Sequence, residues 1–466
     1  MLFERRQLRQ IALSGLFLGL LAVSWFLASG VFKTALFLLL SIGGIAASLA
    51  FWPEMLVMAY LFAGRYGYEA RLAPGDIPIS LNQMILVGLV VLALLNLRFV
   101  IRVLRRWSML GLIAFSVALL MGLGWTLGLN YGLYKVTRTW LVIVPAILIA
   151  GALLERRGSV VPLIAAAFAV GFALNSAGLL TFEASLSSNN RLSALGSGPN
   201  VFARTVGLSM LIALLTITWL LQRGLNSTKD RLLVLGAGLA FLWLLPGFVL
   251  AQSRGPALAL LAAVGLLIML SLYGNWRTVI VGLGSLTFTF WAGSLVANEI
   301  LGATRFDLSK KSNQVSVDAR FQHLWDTWDL IVEHPLLGIG TGAWPVHLFG
   351  IDERAYPHNF FAEIAVENGV FLAGALGLVF FVVIGRGFLW WLRARDPYTR
   401  FVLMGTLAVW LFFMINISVT GDSVDNRLIW LTLLAVEIRT WAVAREAHPS
   451  PAVPAPVAPG PRSAGP

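Results

Sequence analysis

His358 is the side chain of this 466-residue chain whose setting most suggests proton transfer. It stands in Ala355-Tyr356-Pro357-His358-Asn359-Phe360, where a polar stretch gives way to an apolar one. Proline suits the first turn of a helix, so Pro357 predicts a helix start around His358. Such a start disfavours imidazolium, which leaves the ring neutral and able to accept a proton, and its free N–H groups attract anions. Asn359, Glu363 and Glu367 then follow at helical spacing as one polar stripe.

Arginines supply the complementary chemistry, because a guanidinium grips phosphate oxygens through two parallel hydrogen bonds. Arg254 lies in Ala251-Gln252-Ser253-Arg254-Gly255-Pro256, a short tract between two apolar segments, where the ordinary role of an arginine is to anchor a helix end at the membrane surface. Arg191 follows Asn189-Asn190 and precedes Gly198-Pro199-Asn200-Val201, where the ordinary role is a solvated loop residue. Arg320 shares a helical stripe with Leu324 and Trp328 and needs a partner: a headgroup phosphate, a carboxylate or the membrane surface itself. No metal or other cofactor is expected. His323, His334 and His347 lack the close pairing of a zinc site, Asp326 and Asp329 read as a solvated helix face, and there is no cysteine.

These groups must be positioned by helices in a bilayer. Hydrophobic residues make up 58% of the chain and charged ones 12%, with mean hydropathy +0.82, and the charge deficit runs the whole length. Soluble chains carry about 25% charged residues, so the fold class is all-α, a polytopic integral membrane protein. Apolar segments fall near 11–30, 34–51, 82–97, 108–129, 136–154, 159–180, 201–221, 232–251, 256–273, 278–298, 360–385, 401–418 and 428–444, with a shorter one at 52–63. The expectation is about 12 to 14 transmembrane helices within a domain spanning residues 1–446. The first is read as a retained helix behind Arg5, Arg6 and Arg9, not a cleaved leader.

Lysine and arginine in the short connections concentrate on one side, at Arg98 to Arg106, Arg156 and Arg157, Arg223 to Arg231, Arg277, and Arg386 to Arg400. That side is read as cytoplasmic with both termini, and it accounts for the net charge of +12 without nucleic acid. The long polar segment 299–359 then faces outward. Within it, Ser316–Glu333 reads as a helix with Val317, Phe321, Leu324, Trp325, Trp328 and Val332 at helical spacing, lying on the membrane or capping the bundle. The tail 447–466, rich in proline and alanine, reads as disordered. Ionisable residues are expected at span ends and in connections, with almost none inside the bilayer.

In this order, Ser253-Arg254-Gly255, His334-Pro335-Leu336-Leu337-Gly338-Ile339-Gly340-Thr341-Gly342, and His358-Asn359 with Gly369 ten residues after the asparagine resemble the O-antigen ligase family of the bacterial polymerase/ligase superfamily. Gly198-Pro199-Asn200 behind Arg191 is also similar, and the likeness covers roughly residues 185–375. Leu372 stands where the family commonly has a small or polar residue. The resemblance implies a metal-independent glycosyltransferase. It would move O-antigen polysaccharide from undecaprenyl pyrophosphate to lipid A–core oligosaccharide, at the periplasmic face of the Gram-negative inner membrane and with inversion. It implies His358 as base and Arg191 and Arg254 as pyrophosphate-stabilising residues, with Arg320 and Asn359 in substrate binding.

Three other readings stay open at this point. An O-antigen polymerase or a protein O-oligosaccharyltransferase would use the same donor with a different acceptor. A transporter or flippase would place polar groups near the bilayer midplane, whereas here they gather at the outer rim. A structural scaffold would explain the spans but not the outer arginines beside a helix-start histidine.

Overall fold

The computed structural model describes residues 43–66, 81–182, 185–186, 191–194, 198–271 and 311–447. The expected first span with its basic flank, the span at 278–298, the start of the long loop and nearly all of the tail lie outside them. Among the described residues the chain is helical, with one isolated β-bridge between Leu186 and Leu192. Helices suit long apolar runs because every interior N–H and C=O is satisfied within the segment, which a bilayer demands.

In chain order, the helices are α1 (Pro53–Tyr66), α2 (Leu81–Leu95), α3 (Leu97–Leu104), α4 (Trp107–Met121), α5 (Leu129–Arg157, containing a π-helical turn at Thr139–Ile143), α6 (Val161–Leu180), α7 (Pro199–Arg223), α8 (Thr228–Leu250), α9 (Arg254–Ser271), α10 (Lys311–Glu333), α11 (Trp344–Phe349), α12 (Phe360–Asn368), α13 (Val370–Arg393), α14 (Pro397–Val419) and α15 (Leu428–Ala447). Local chemistry sets several boundaries. Ser227 caps α8 by accepting from the Asp230 N–H at 3.1 Å, and Asp396 caps α14 by accepting from the Thr399 N–H at 2.7 Å. Proline occupies the first turn of α6, α7 and α14.

Seven helices among the described residues are long and apolar enough to cross a membrane. An eighth is added if α2 and α3, bent by 90° at Asn96, count as one. The protein is thus an all-α polytopic membrane protein. Three sequence boundaries need correcting. The connection read at Arg98 to Arg106 is largely α3, which turns at right angles and leaves Leu97 and Ile101 exposed beside its arginines. The spans read at 108–129 and 136–154 break earlier, at 125–128, so Lys135, read in the connection between them, lies within α5. The segment 360–385 is two helices. Gly369, at φ +90°, separates the short α12 from α13, and its tight fit against the Leu336 carbonyl leaves no room for a side chain.

Helix directions sort the polar contacts into two ends. At one end, Arg106 pairs with Glu155, and Arg157 with Glu54 at 2.5 Å. Glu437 there accepts from the N–H groups of Trp107 and Ser108 at 3.0 and 2.9 Å, covering the start of α4. The opposite end gathers the starts of α5, α7, α9, α12, α13 and α15 with the ends of α6, α8 and α14. The candidate functional residues lie there.

Candidate active site

The long connection is seated on the bundle by the glycine-rich stretch after His334. Gly338, Gly340 and Gly342 all have positive φ, and a side chain at Gly340 would come within 2.6 Å of the Thr126 backbone. The Thr341 N–H donates to the Gly122 carbonyl at 3.2 Å, its hydroxyl donates to the Leu119 carbonyl at 2.9 Å, and Thr126 donates back to the Thr341 carbonyl at 2.7 Å. This stretch therefore fills the break between α4 and α5, and its glycines serve docking. Helix α10 divides its side chains between a face toward the protein and an apolar face turned outward. Arg320, Leu324, Thr327 and Ile331 turn toward the protein, with Thr327 accepting from the Trp344 indole at 2.8 Å. Phe321, Trp325, Trp328 and Val332 form an outward apolar stripe, Trp325 at 65% exposure, so Leu324 and Trp328 part company from the single stripe read in the sequence.

His358 does not open a helix. Asn359 is the N-cap of α12, its Oδ1 accepting from the Ala362 N–H at 3.0 Å, while its Nδ2 donates to the Ser418 carbonyl at 3.4 Å. Asn359 thus caps α12 and ties it to α14, and His358 stands one residue outside, at φ +62°. A left-handed non-glycine residue is strained and persists only where its surroundings hold it. Its Nδ1 is buried with no hydrogen-bond partner among the described residues. The ring is neutral, as read from the sequence, but for different reasons. Burial and the positive Arg320, with His323 beside it, push its pKa down to about 4 against the opposing charge of Asp422.

The arginines lie at the same end of the bundle as the C-terminal end of α14. Arg320 donates to the Val419 carbonyl at 3.3 Å. Arg254 opens α9, whose next residue packs on the same place: a Cβ at Gly255 would lie 2.6 Å from the Thr420 methyl. Arg191 is buried, which removes the solvated-loop reading. It donates to the Ala251 carbonyl at 3.0 Å and to Asn200 Oδ1 at 2.9 Å, and Asn200 also accepts from Ser253 at 2.8 Å. Segment 418–420 is thus contacted by Arg320, by Asn359 beside His358 and by Gly255 beside Arg254, while Asn200 joins Arg191 to Ser253. One end of the bundle can present a neutral imidazole and several guanidinium groups to an anionic ligand.

Lys135, Asp422, Arg354, Asp425 and Arg204 were not singled out in the sequence. Lys135 is fully buried and donates to Glu363 and Glu367, each at 2.6 Å, and Glu363 also accepts from the Ser423 N–H and hydroxyl at 2.9 and 2.8 Å. This corrects the expectation that ionisable groups stay at span ends: a paired triad sits inside α5 and α12. Asp422, also buried, accepts from the Tyr131 hydroxyl at 3.0 Å and from Arg354 Nε at 2.9 Å, while Arg354 also pairs with Asp425. Buried Arg204 donates to Asn426 Oδ1 at 2.5 Å and to the Asp425 carbonyl at 3.3 Å. The available signals were a lysine in helical register with Tyr131 and the polar tract Thr420–Arg427 between two spans. Among the described residues, no three His, Asp or Glu side chains cluster as metal ligands.

A many-helix membrane protein with a histidine and arginines clustered at one end is the class that the fold and the site define. Residues 239–377 match the family model described as O-antigen ligase, Wzy_C, which bears out the resemblance of the motifs inside that stretch. The match includes Arg254, Arg320, His358 and Asn359 and supports function of the O-antigen ligase and polymerase type; Arg191 and the 419–427 segment lie outside it. No curated protein matches the chain.

Proposed function

We propose that this chain transfers O-antigen saccharide from undecaprenyl pyrophosphate to lipid A–core oligosaccharide at the periplasmic face of the bacterial inner membrane. The observation that supports this reading is that His358, Arg320, Arg254 and Arg191 lie at the same end of the bundle, with Arg320 bonded to the last turn of α14 and acting on His358. The opposite end is rich in arginine and would face the cytoplasm with both termini.

In this reading, an acceptor sugar hydroxyl attacks the anomeric carbon of the donor and gives its proton to the neutral His358 ring. The bond between that carbon and the pyrophosphate oxygen breaks as the new glycosidic bond forms, and undecaprenyl pyrophosphate leaves with the bonding electrons. Arg254 and Arg191, with Arg320, face the charge that develops on the leaving group, so these residues supply its stabilisation. Displacement from the opposite side inverts the anomeric centre. Both substrates are lipids and reach the site from the bilayer.

The test is lipopolysaccharide from cells with and without the gene, separated by size and stained for polymer. Polymer attached to lipid A–core disappears without the gene and returns with the wild-type chain. Arg254→Lys restores about 10²-fold less, because an ammonium lacks the planar fork and one charge-stabilising donor pair is lost. Unchanged attached polymer in the deletion strain removes the ligase assignment. Loss of chain elongation with attachment intact moves the acceptor to a growing polymer.

A further inference from the structure

The segment 419–427 was not part of the family resemblance, lies outside the matched stretch and is gripped from several elements. Arg320 of α10 and Asn359 of the α12 cap bond the last turn of α14, which leads into it, through the Val419 and Ser418 carbonyls. Arg204 of α7 bonds Thr420, Asp425 and Asn426. Glu363 of α12 takes both the N–H and the hydroxyl of Ser423. Asp422 is at the centre: Oδ1 accepts from the Asp425 N–H at 2.7 Å, and Oδ2 accepts from Tyr131 and Arg354.

Arg354 connects this carboxylate to the proton acceptor. Its guanidinium lies 5.6 Å from the centre of the Tyr356 ring, and that ring stands edge-on to His358 with centroids 4.7 Å apart. Asp352, two residues earlier, accepts from the N–H groups of Asn130 and Tyr131 at 2.8 and 3.0 Å, tying the same loop to the start of α5. His358 needs such restraint, because its left-handed backbone is not a conformation that histidine holds unaided.

We propose that Asp422 is a positioning residue: through Arg354 and Tyr356 it holds His358 in place against the end of α14. Its role in transfer rests on the enzyme reading above; its hold on the ring does not. The charged and titratable groups that act on the imidazole are Arg320 and His323 from α10 and Asp422 from 419–427, with Tyr356 packed on its edge. Arg320 and His323 favour the neutral ring, and Asp422 favours the charged one. Removing the Asp422 charge therefore makes His358 harder to protonate.

Asp422→Asn, Asp422→Glu and Arg354→Ala test this in purified full-length protein. One readout is transfer kinetics. The other is the titration of His358, followed by NMR in protein labelled at its five histidines and assigned with His358→Ala. Asp422→Asn is expected to lower kcat by about 10²-fold through misplacement of the base. The KM for donor changes by less than about threefold, since the loss falls on the transition state. The titration midpoint of His358 and the acid limb of the rate profile both move to lower pH, and Asp422→Glu restores part of each. Wild-type kcat with an unmoved midpoint in Asp422→Asn overturns the proposal. Should Asp422→Asn fail to fold, Arg354→Ala decides it: lowered kcat at steady donor KM supports the hold on His358, and wild-type kcat overturns it. A wild-type protein without transferase activity sinks the enzyme reading, while the His358 midpoint in Asp422→Asn still reports the contact.

Discussion

Replacing His358 with alanine lowers saccharide transfer by about 10²- to 10⁴-fold, the range that a positioned general base contributes. Protein abundance and thermal midpoint stay near wild type, because the imidazole Nδ1 makes no hydrogen bond that folding would lose. A companion variant separates chemistry from strain. His358→Gly removes the same base but accepts φ +62° without steric cost, so it is at least as stable as His358→Ala and equally inactive. The pH dependence follows from the depressed pKa. The ring is in its proton-accepting form at neutral pH and is lost as a base only as the pH falls through about 4. Wild-type rates in His358→Ala, or an acid limb near the ordinary histidine value of about 6.5 that disappears with this residue, would contradict the assignment.

Replacing Lys135 with methionine is expected to cost about 3–5 kcal/mol of stability, the penalty for removing one partner of a buried ion pair. The change strands Glu363 and Glu367, both buried and both bound to that one ammonium. The arrangement bears on function as well as stability, since Glu363 also holds Ser423 and α12 carries the cap that follows His358. Adding Glu363→Gln and Glu367→Gln to Lys135→Met recovers much of the loss, because a fully neutral site no longer contains an unpaired charge. Thermal scans of detergent-solubilised protein decide between outcomes. A single Lys135→Met variant as stable as wild type would show that the triad contributes nothing to holding α5 against α12.

The fold class was legible because charge is depleted along the entire chain, and the likeness to O-antigen ligases was legible because short motifs keep their order around His358 and Arg254. The neutral His358 was foreseen for the wrong reason. Pro357 suggested a helix start, yet the cap is Asn359, and burial beside Arg320 lowers the pKa. Asn359 illustrates the same limit: the sequence placed it beside a candidate base, and its role as the α12 cap shows only in its hydrogen bonds. Lys135 was hidden because helix boundaries read from hydropathy placed it in a connection, whereas α5 starts at Leu129. Its partners lie 228 and 232 residues away, a separation that no local pattern encodes. Asp422 and Arg354 escaped notice for a related reason, since each looks like a solvated loop residue until the chain folds them together.

The most direct test of the proposed chemistry is transfer by purified protein in liposomes containing only an undecaprenyl-pyrophosphate-linked saccharide and lipid A–core, with EDTA present. The expected result is saccharide-bearing lipid A–core and an equal amount of undecaprenyl pyrophosphate from the wild-type chain, with neither from His358→Ala. Product that needs an added metal ion, or that forms as fast with His358→Ala, would contradict transfer by a histidine base and arginine-stabilised leaving group.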